Sequence, residues 1–519
     1  MPRHPSRRTF LAAAASLAAA QPGCARLFFK GNRGRPVVAS GVASGDVTAD
    51  SAVIWSATDR GARMIVDWAT TESLSSATRI VGPDAVSRTG FTAQLDLTNL
   101  PPDTRIFYRV SFENLDDFSF SRPVTGSFKT APHPDAPAPR DVAFAWSGDT
   151  AGQGWGIDPA RGGMPVYAAL ADLCPDFFIH SGDTIYADGP IKPEIPLPDG
   201  GTWTSLVTPA KSKPALSLAD FRGNYAYNLL DPGVRHFNAT VPMIVQWDDH
   251  EVRNNWYPGQ VIDDPAYAAD RDADALAARA RQAFLEYMPI RPSPEDPRRI
   301  YRAYHHGPLL DVFMLDERSY RGPNSPNRQP TLDRAAHHLG PRQLEWLKAA
   351  LKRSTATWKV IASDTPISAI VKDGKTDYEA WANGDPGRPL GRELEVASLL
   401  SFIKSNGIRN TVWITADVHY PANIHYHPDR AAAFKDFDPF WEFISGPLHA
   451  GGFGPNALDR TFGPEYRWNR PPAKGGDGPG HGFAAFGIIR IDAASRTIRV
   501  SQHDIAGNEM TVQEIEPVV

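Results

Sequence analysis

The chain has 519 residues and a mass of 56.8 kDa, more than one hydrophobic core usually holds, so two domains are expected. Its 42% hydrophobic and 22% charged residues are ordinary for a globular protein. The formal net charge of −5, with no long basic stripe, offers nothing to a nucleic acid. Two cysteines, Cys24 and Cys174, are too few for a disulfide framework or a zinc knuckle.

At the N-terminus, Ser6-Arg7-Arg8-Thr9-Phe10-Leu11 leads into the apolar run Leu11–Ala20, which is too short to span a bilayer. Paired arginines, an Ala-rich stretch and small residues at Ala18–Ala20 read as a twin-arginine export signal. Residues 1–35 are therefore assigned to signal and tail, the twin-arginine translocation machinery is an expected partner, and the periplasm or exterior is the destination. Gly23-Cys24 is a lesser candidate for a lipoprotein cleavage site, because Gln21-Pro22 fits that pattern poorly. No later segment looks transmembrane.

Residues 36–131 hold short alternating runs (SAVIWSA, RMIVDWAT, FTAQLDL, RIFYRVSF, TGSFKT) separated by turn residues. This is the pattern of a small all-β sandwich. Leu100–Val110 resembles a late strand of fibronectin type III or immunoglobulin-like domains, with Ile106 where a corner tyrosine usually stands. Nothing in this domain suggests chemistry, so packing or docking is its expected role. The Pro-rich stretch APHPDAPAPR, residues 131–140, is the expected linker.

Over residues 140–519 strands alternate with helices, which means an α/β layered fold. Cys174 closes the helical pattern VYAALADLC and is expected to be a buried thiol. The strand of DFFIHSGDTIYAD ends in Gly182-Asp183, and Gly182 permits a sharp turn. Tyr186 can fold back beside Asp183, placing a carboxylate next to a phenol. Both are hard oxygen donors of the kind a ferric ion prefers. DVAFAWSGD, VPMIVQWDDHE, WKVIASD and TVWITADVH likewise run from apolar strand to acid. The helices ALAARARQAFLEYM, GPRQLEWLKAALKR, with Pro341 early, and VASLLSFIKSN, stopped by Gly407, lie between them.

One acid at a strand end is ordinarily a cap or turn residue. Here Asp149, Asp183 with Tyr186, Asp248-Asp249-His250-Glu251, Asp364, and Asp417 with His419 all occupy such positions. Aimed at one edge, these carboxylates would repel one another unless neutralised. No matching Lys/Arg cluster stands beside them, so bound cations are the economical answer.

The order of these blocks resembles the calcineurin-like metallophosphoesterases, including the purple acid phosphatases. GVASGDVTADSAVIW, SGDTAGQGWG, GDTIYAD, QWDDHEVRNNW, LDERSYR, TADVHY and EFISGPLHAGGFGPN resemble the alkaline phosphatase D family in particular. The resemblance implies a layered β-sandwich flanked by helices and a multinuclear centre. One ion, iron(III), would take Asp149, Tyr186 and His419, with Asp183 bridging. A second would take Asp249, Asp364 and Asp417, where relatives often have Asn or His. That all-oxygen set favours calcium, magnesium or manganese over zinc, and the family implies iron with calcium. Asp149 stands where many members carry Cys, and Ala151 where the superfamily usually has His.

The chemistry implied is hydrolysis of phosphate monoesters and diesters by a hydroxide made available at the metal centre. His250 is assigned to protonate the leaving oxygen. Glu251 is read as orienting His250 or a metal-bound water, and Asn254 as reaching a metal or the phosphate. Asp188 and Asp248 are read as outer or turn residues. Asp316, Arg318 and Arg321 are expected to pair with one another, with holding the substrate phosphate as the alternative, and His449 sits in a loop that could line the cleft. The long loops 189–216, 258–274 and 373–392 are expected to shape the cleft. Phospholipase D-like cleavage of a phospholipid is the alternative within this class. A metal-stabilised cell-surface binding protein without catalysis is the alternative outside it.

Overall fold

A computed structural model describes residues 34–136 and 138–518. The export signal and Cys24 lie outside the described residues. No described helix is long and apolar enough to cross a membrane.

Two sheets face each other. One has nine strands, in the order 509–515, 498–504, 485–491, 142–147, 177–181, 243–246, 42–45, 52–57 and 92–97. The other has seven, in the order 302–306, 310–314, 358–362, 411–415, 440–444, 422–426 and 464–469. Between them Phe144, Trp146 and Ile179 of the first sheet meet Val312, Val360, Ile414 and Phe443 of the second. Because both faces of each sheet are covered, the central strands are largely apolar; Met243–Gln246 and Trp358–Ala362 are buried at every position, Gln246 and Lys359 included.

Helices close the outer faces. Leu218–Asn228, Pro232–Thr240 and Ala273–Tyr287 pack Phe221, Phe237 and Phe284 against Phe178 and Val245. Gly340–Arg353 and Glu393–Ser405 pack Leu344, Leu347 and Leu400 against Phe313, Ile361 and Trp413. Capping sets these ends: the Asp272 carboxylate accepts the backbone N–H groups of Asp274 and Ala275, and Gly407 follows Glu393–Ser405 at φ 62°.

The N-terminal region is a sandwich with a shared leaf. Its own four-stranded antiparallel sheet runs 78–85, 62–69, 105–114, 124–129. Arg105–Asn114 alternates inward and outward, burying Ile106, Tyr108, Val110 and Phe112. The opposing leaf is formed by Val42–Gly45, Ala52–Ala57 and Thr92–Leu97. That leaf continues into the nine-stranded sheet, where Gly45 pairs in parallel with Met243.

Cys174 departs from expectation. The helix ends at Asp172, and Cys174 turns outward at φ 48°, an exposed thiol rather than a buried one.

Candidate metal and phosphate site

The strand-end acids gather at the C-terminal ends of parallel strands in both sheets, the edge at which α/β sheets carry their sites. Strands 142–147, 177–181 and 243–246 run parallel in one sheet, and 358–362 and 411–415 in the other. Tight turns then aim the side chains inward. Asp149, Asp183, Asp417 and His419 all have left-handed backbones, with φ of 70°, 50°, 61° and 61°. Such conformations are costly for residues other than glycine and concentrate at functional sites. Gly182, at φ 86°, is required for the close crossing there, since a Cβ on it would lie 2.4 Å from Asp248 Cβ.

Three overlapping groups result. Asp149, Asp183 and His419 bring ligand atoms within 4.8 Å of one another, as do Asp183, Asp249 and His250, and Asp248, Asp249 and Asp417. Asp183 belongs to the first two groups, the place expected of a bridging carboxylate. Tyr186 joins the first, its hydroxyl 2.8 Å from His419 Nε2. His419 Nδ1 lies 2.6 Å from the Gly451 carbonyl, which leaves Nε2 facing the cluster.

Asp364 stands outside these groups among the described residues. Fully buried, it lies 4.0 Å from Arg318 Nε and beside Asp248 and Glu317. Asp248, read from sequence as an outer residue, takes the place beside Asp249 and Asp417. One of its oxygens accepts from Arg318 Nε at 2.5 Å, and the other has no hydrogen-bond partner. His250, assigned from sequence as the proton donor, places a ring nitrogen in the second group. Both carboxylate oxygens of Glu251 are taken up by the backbone rather than by His250. Glu251 accepts the backbone N–H groups of Asp183, Thr184 and Asp248, tying two strand ends together. Asn254 donates its backbone N–H to Asp188 and exposes its side chain.

Behind the cluster stand residues that the sequence marked only as outer ones, with Asn255, Glu379 and Lys211, which it did not mark at all. Asp188 Oδ1 lies 2.6 Å from His250 Nδ1. The Asn255 backbone N–H donates to Asp249 Oδ2 at 2.5 Å. Arg318 and Arg321 pair with Glu379 rather than with Asp316. Lys211, 1% exposed, donates to the carbonyls of Ala151 and Tyr186. His449 is fully buried, with Nε2 3.0 Å from the Gly156 carbonyl and its backbone N–H donating to the Asp149 carbonyl. A cavity of about 460 Å³ between Asp46–Asp50 and Arg291–Tyr304 contains none of the clustered acids.

The donor set suits hard cations. Both oxygens of Asp149 and Asp364, and Oδ1 of Asp249, are buried without a hydrogen-bond donor, a condition rarely tolerated unless something else satisfies them. Burial, reinforced by neighbouring carboxylates, holds Asp149, Asp183 and Asp417 well above the ordinary carboxylate range. Burial and Asp183 push the Tyr186 phenol up in the same way. A cation among these groups reverses that penalty. His250 behaves oppositely: burial disfavours its charge, but Asp188 and Asp249 outweigh it and raise the imidazole to about 9.

Two packed sheets whose strand ends pool carboxylates, an imidazole and a phenol form the site of a phosphoesterase. The model of the family described as PhoD-like phosphatase matches residues 144–501, and that of its N-terminal domain matches residues 23–132. The chain belongs to the PhoD-like phosphatase family and is a phosphatase or phosphodiesterase. It is 29% identical over 444 residues to alkaline phosphatase D of Bacillus subtilis (strain 168), covering 80% of this chain and 70% of that protein. A solved structure of PhoD superposes with a TM-score of 0.69 at 20% identity, over 94% of both chains. A purple acid phosphatase from yellow lupin (Lupinus luteus) seeds shares the fold at 0.56 and 12% identity, over 93% of this chain and 74% of that one.

Proposed function

We propose that the protein is an exported, metal-dependent phosphoesterase that hydrolyses phosphate monoesters and diesters in the periplasm or outside the cell. The supporting observation is the overlap of the three ligand groups, which share Asp183 and Asp249 and contain buried oxygens of Asp149, Asp248 and Asp249 that lack a hydrogen-bond donor. Iron(III) fits Asp149, Asp183, His419 and Tyr186, a mixed oxygen and nitrogen set. Calcium, magnesium or manganese fits the all-oxygen group of Asp248, Asp249 and Asp417. When bound, such ions supply Lewis-acid charge for the phosphoryl oxygens and a nucleophile drawn from solvent near neutral pH.

The chain's own residues do the rest. Asp188 holds Nδ1 of His250, so Nε2 is the end that faces Asp249, 3.9 Å from its Oδ1. Protonated up to about pH 9, His250 delivers the Nε2 proton to the oxygen that leaves phosphorus. Glu251 fixes the backbones of Asp183 and Asp248, and Asn255 fixes Asp249, so the acids meet the substrate without rearranging.

The test is elemental analysis of the purified protein, with turnover of p-nitrophenyl phosphate and bis(p-nitrophenyl) phosphate before and after chelation. Iron with a hard divalent ion, and turnover abolished by chelation and restored by metal, is the expected result. Full turnover by metal-free protein overturns the reading.

A further inference from the structure

Phe453 is a large apolar side chain left 40% exposed, and it packs into none of the hydrophobic clusters among the described residues. Its ring centroid lies 5.5 Å from that of His419, at 53°. Among the described residues it is the exposed large hydrophobic with a ring contact to the acid–histidine cluster.

The loop presenting it is fixed. Phe453 donates its backbone N–H to the His419 carbonyl at 3.2 Å, and the Gly451 carbonyl lies 2.6 Å from His419 Nδ1. Gly452 donates to Asp477 and accepts from Gly476. A Cβ on Gly452 would lie 2.2 Å from the Phe483 ring, so the backbone is pressed onto that ring. The ring of Phe453 is therefore held in water beside the cluster by a pinned backbone. Apolar area of this kind gains free energy only when a ligand covers it.

We infer that Phe453 determines specificity for the alcohol part of the substrate, and that this alcohol carries an aromatic ring at or next to the ester oxygen. The inference rests on the reading of the cluster as the phosphoryl site. With phosphorus beside His419, the ester substituent on that side passes over Phe453. A flat ring there meets it edge-to-face or offset-stacked, the geometries aromatic pairs favour. A short aliphatic alcohol covers little of it.

The experiment measures binding, so it does not depend on turnover. Phenylphosphonate and methylphosphonate, inert analogues, are titrated calorimetrically into the metal-replete wild type, Phe453→Ala and Phe453→Tyr. The wild type is expected to prefer the phenyl compound. Phe453→Ala should cut that preference roughly three- to tenfold, and Phe453→Tyr, which keeps the ring, should retain it. An equal preference in wild type and Phe453→Ala overturns the inference, as does undetectable binding of phenylphosphonate to the wild type or an equal loss in both variants. Absence of hydrolysis alongside a ring-dependent preference would instead count against the reaction and leave the aromatic subsite standing.

Discussion

Asp188 and His250 form a pair whose atoms are 2.6 Å apart, though 62 residues separate them in the chain. The same aspartate accepts the Asn254 backbone N–H through its other oxygen, at 2.7 Å. One carboxylate thereby fixes both the imidazole and the loop beyond it. A general acid works only while protonated, so activity dependent on His250 falls as pH rises through its pKa. Asp188→Asn removes a cause of the upward shift to about 9. The alkaline limb of the pH–rate profile should move to lower pH, measured on an ester with a poor leaving group. An unmoved limb would show that His250 does not set it.

His250→Ala should keep the fold and the metal content, because Asp183 and Asp249 remain. Turnover of a poor-leaving-group ester should drop by about 10²-fold or more. Circular dichroism, elemental analysis and steady-state kinetics check the three parts, and unchanged kcat removes the assignment.

Tyr186→Phe tests the iron. A phenolate on a ferric ion gives a broad visible band, and the wild type should show one that the variant lacks. Colourless wild-type protein with full activity and no iron would refute this part of the proposal.

His306 supplies a stability prediction away from the cluster. Burial, with Arg140 nearby, lowers its imidazole to about 4, against some opposition from Asp176. The folded state therefore binds fewer protons than the unfolded state between about 4 and 6.5. Stability is full above pH 6.5 and declines as pH falls towards 4, by up to about 1.4 kcal/mol per pH unit. His306→Phe, packing at a tilt against Phe177 as the imidazole does, should flatten that decline in thermal melts between pH 7.5 and 5. Parallel wild-type and variant slopes would contradict it.

The acids at strand ends were legible because each closes an apolar run, and a buried parallel strand writes itself as such a run. Which acid reaches the centre was not. Asp248 and Asp364 look alike in sequence, but Arg318, from a strand end of the opposite sheet, binds one oxygen of Asp248 and leaves the other without a hydrogen-bond donor. The role of Asp188 depends on a loop 62 residues later and carries no local signal. In the sandwich, Thr78–Ala85 escaped notice because Gly82-Pro83 interrupts an already exposed pattern, and Val42–Gly45 because four small residues show little periodicity.

The pairing of Gly45 with Met243 bears on how the molecule is made. During synthesis the first strand of the sandwich emerges long before the partner that seals its free edge, so the sheet stays incomplete until residues 243–246 have left the ribosome. Long-range pairing of this kind slows folding and leaves an edge open to wrong partners. Cutting the sandwich away would expose the rim beside Asp248 and Asp249, and the remaining piece should clump rather than work as a smaller enzyme.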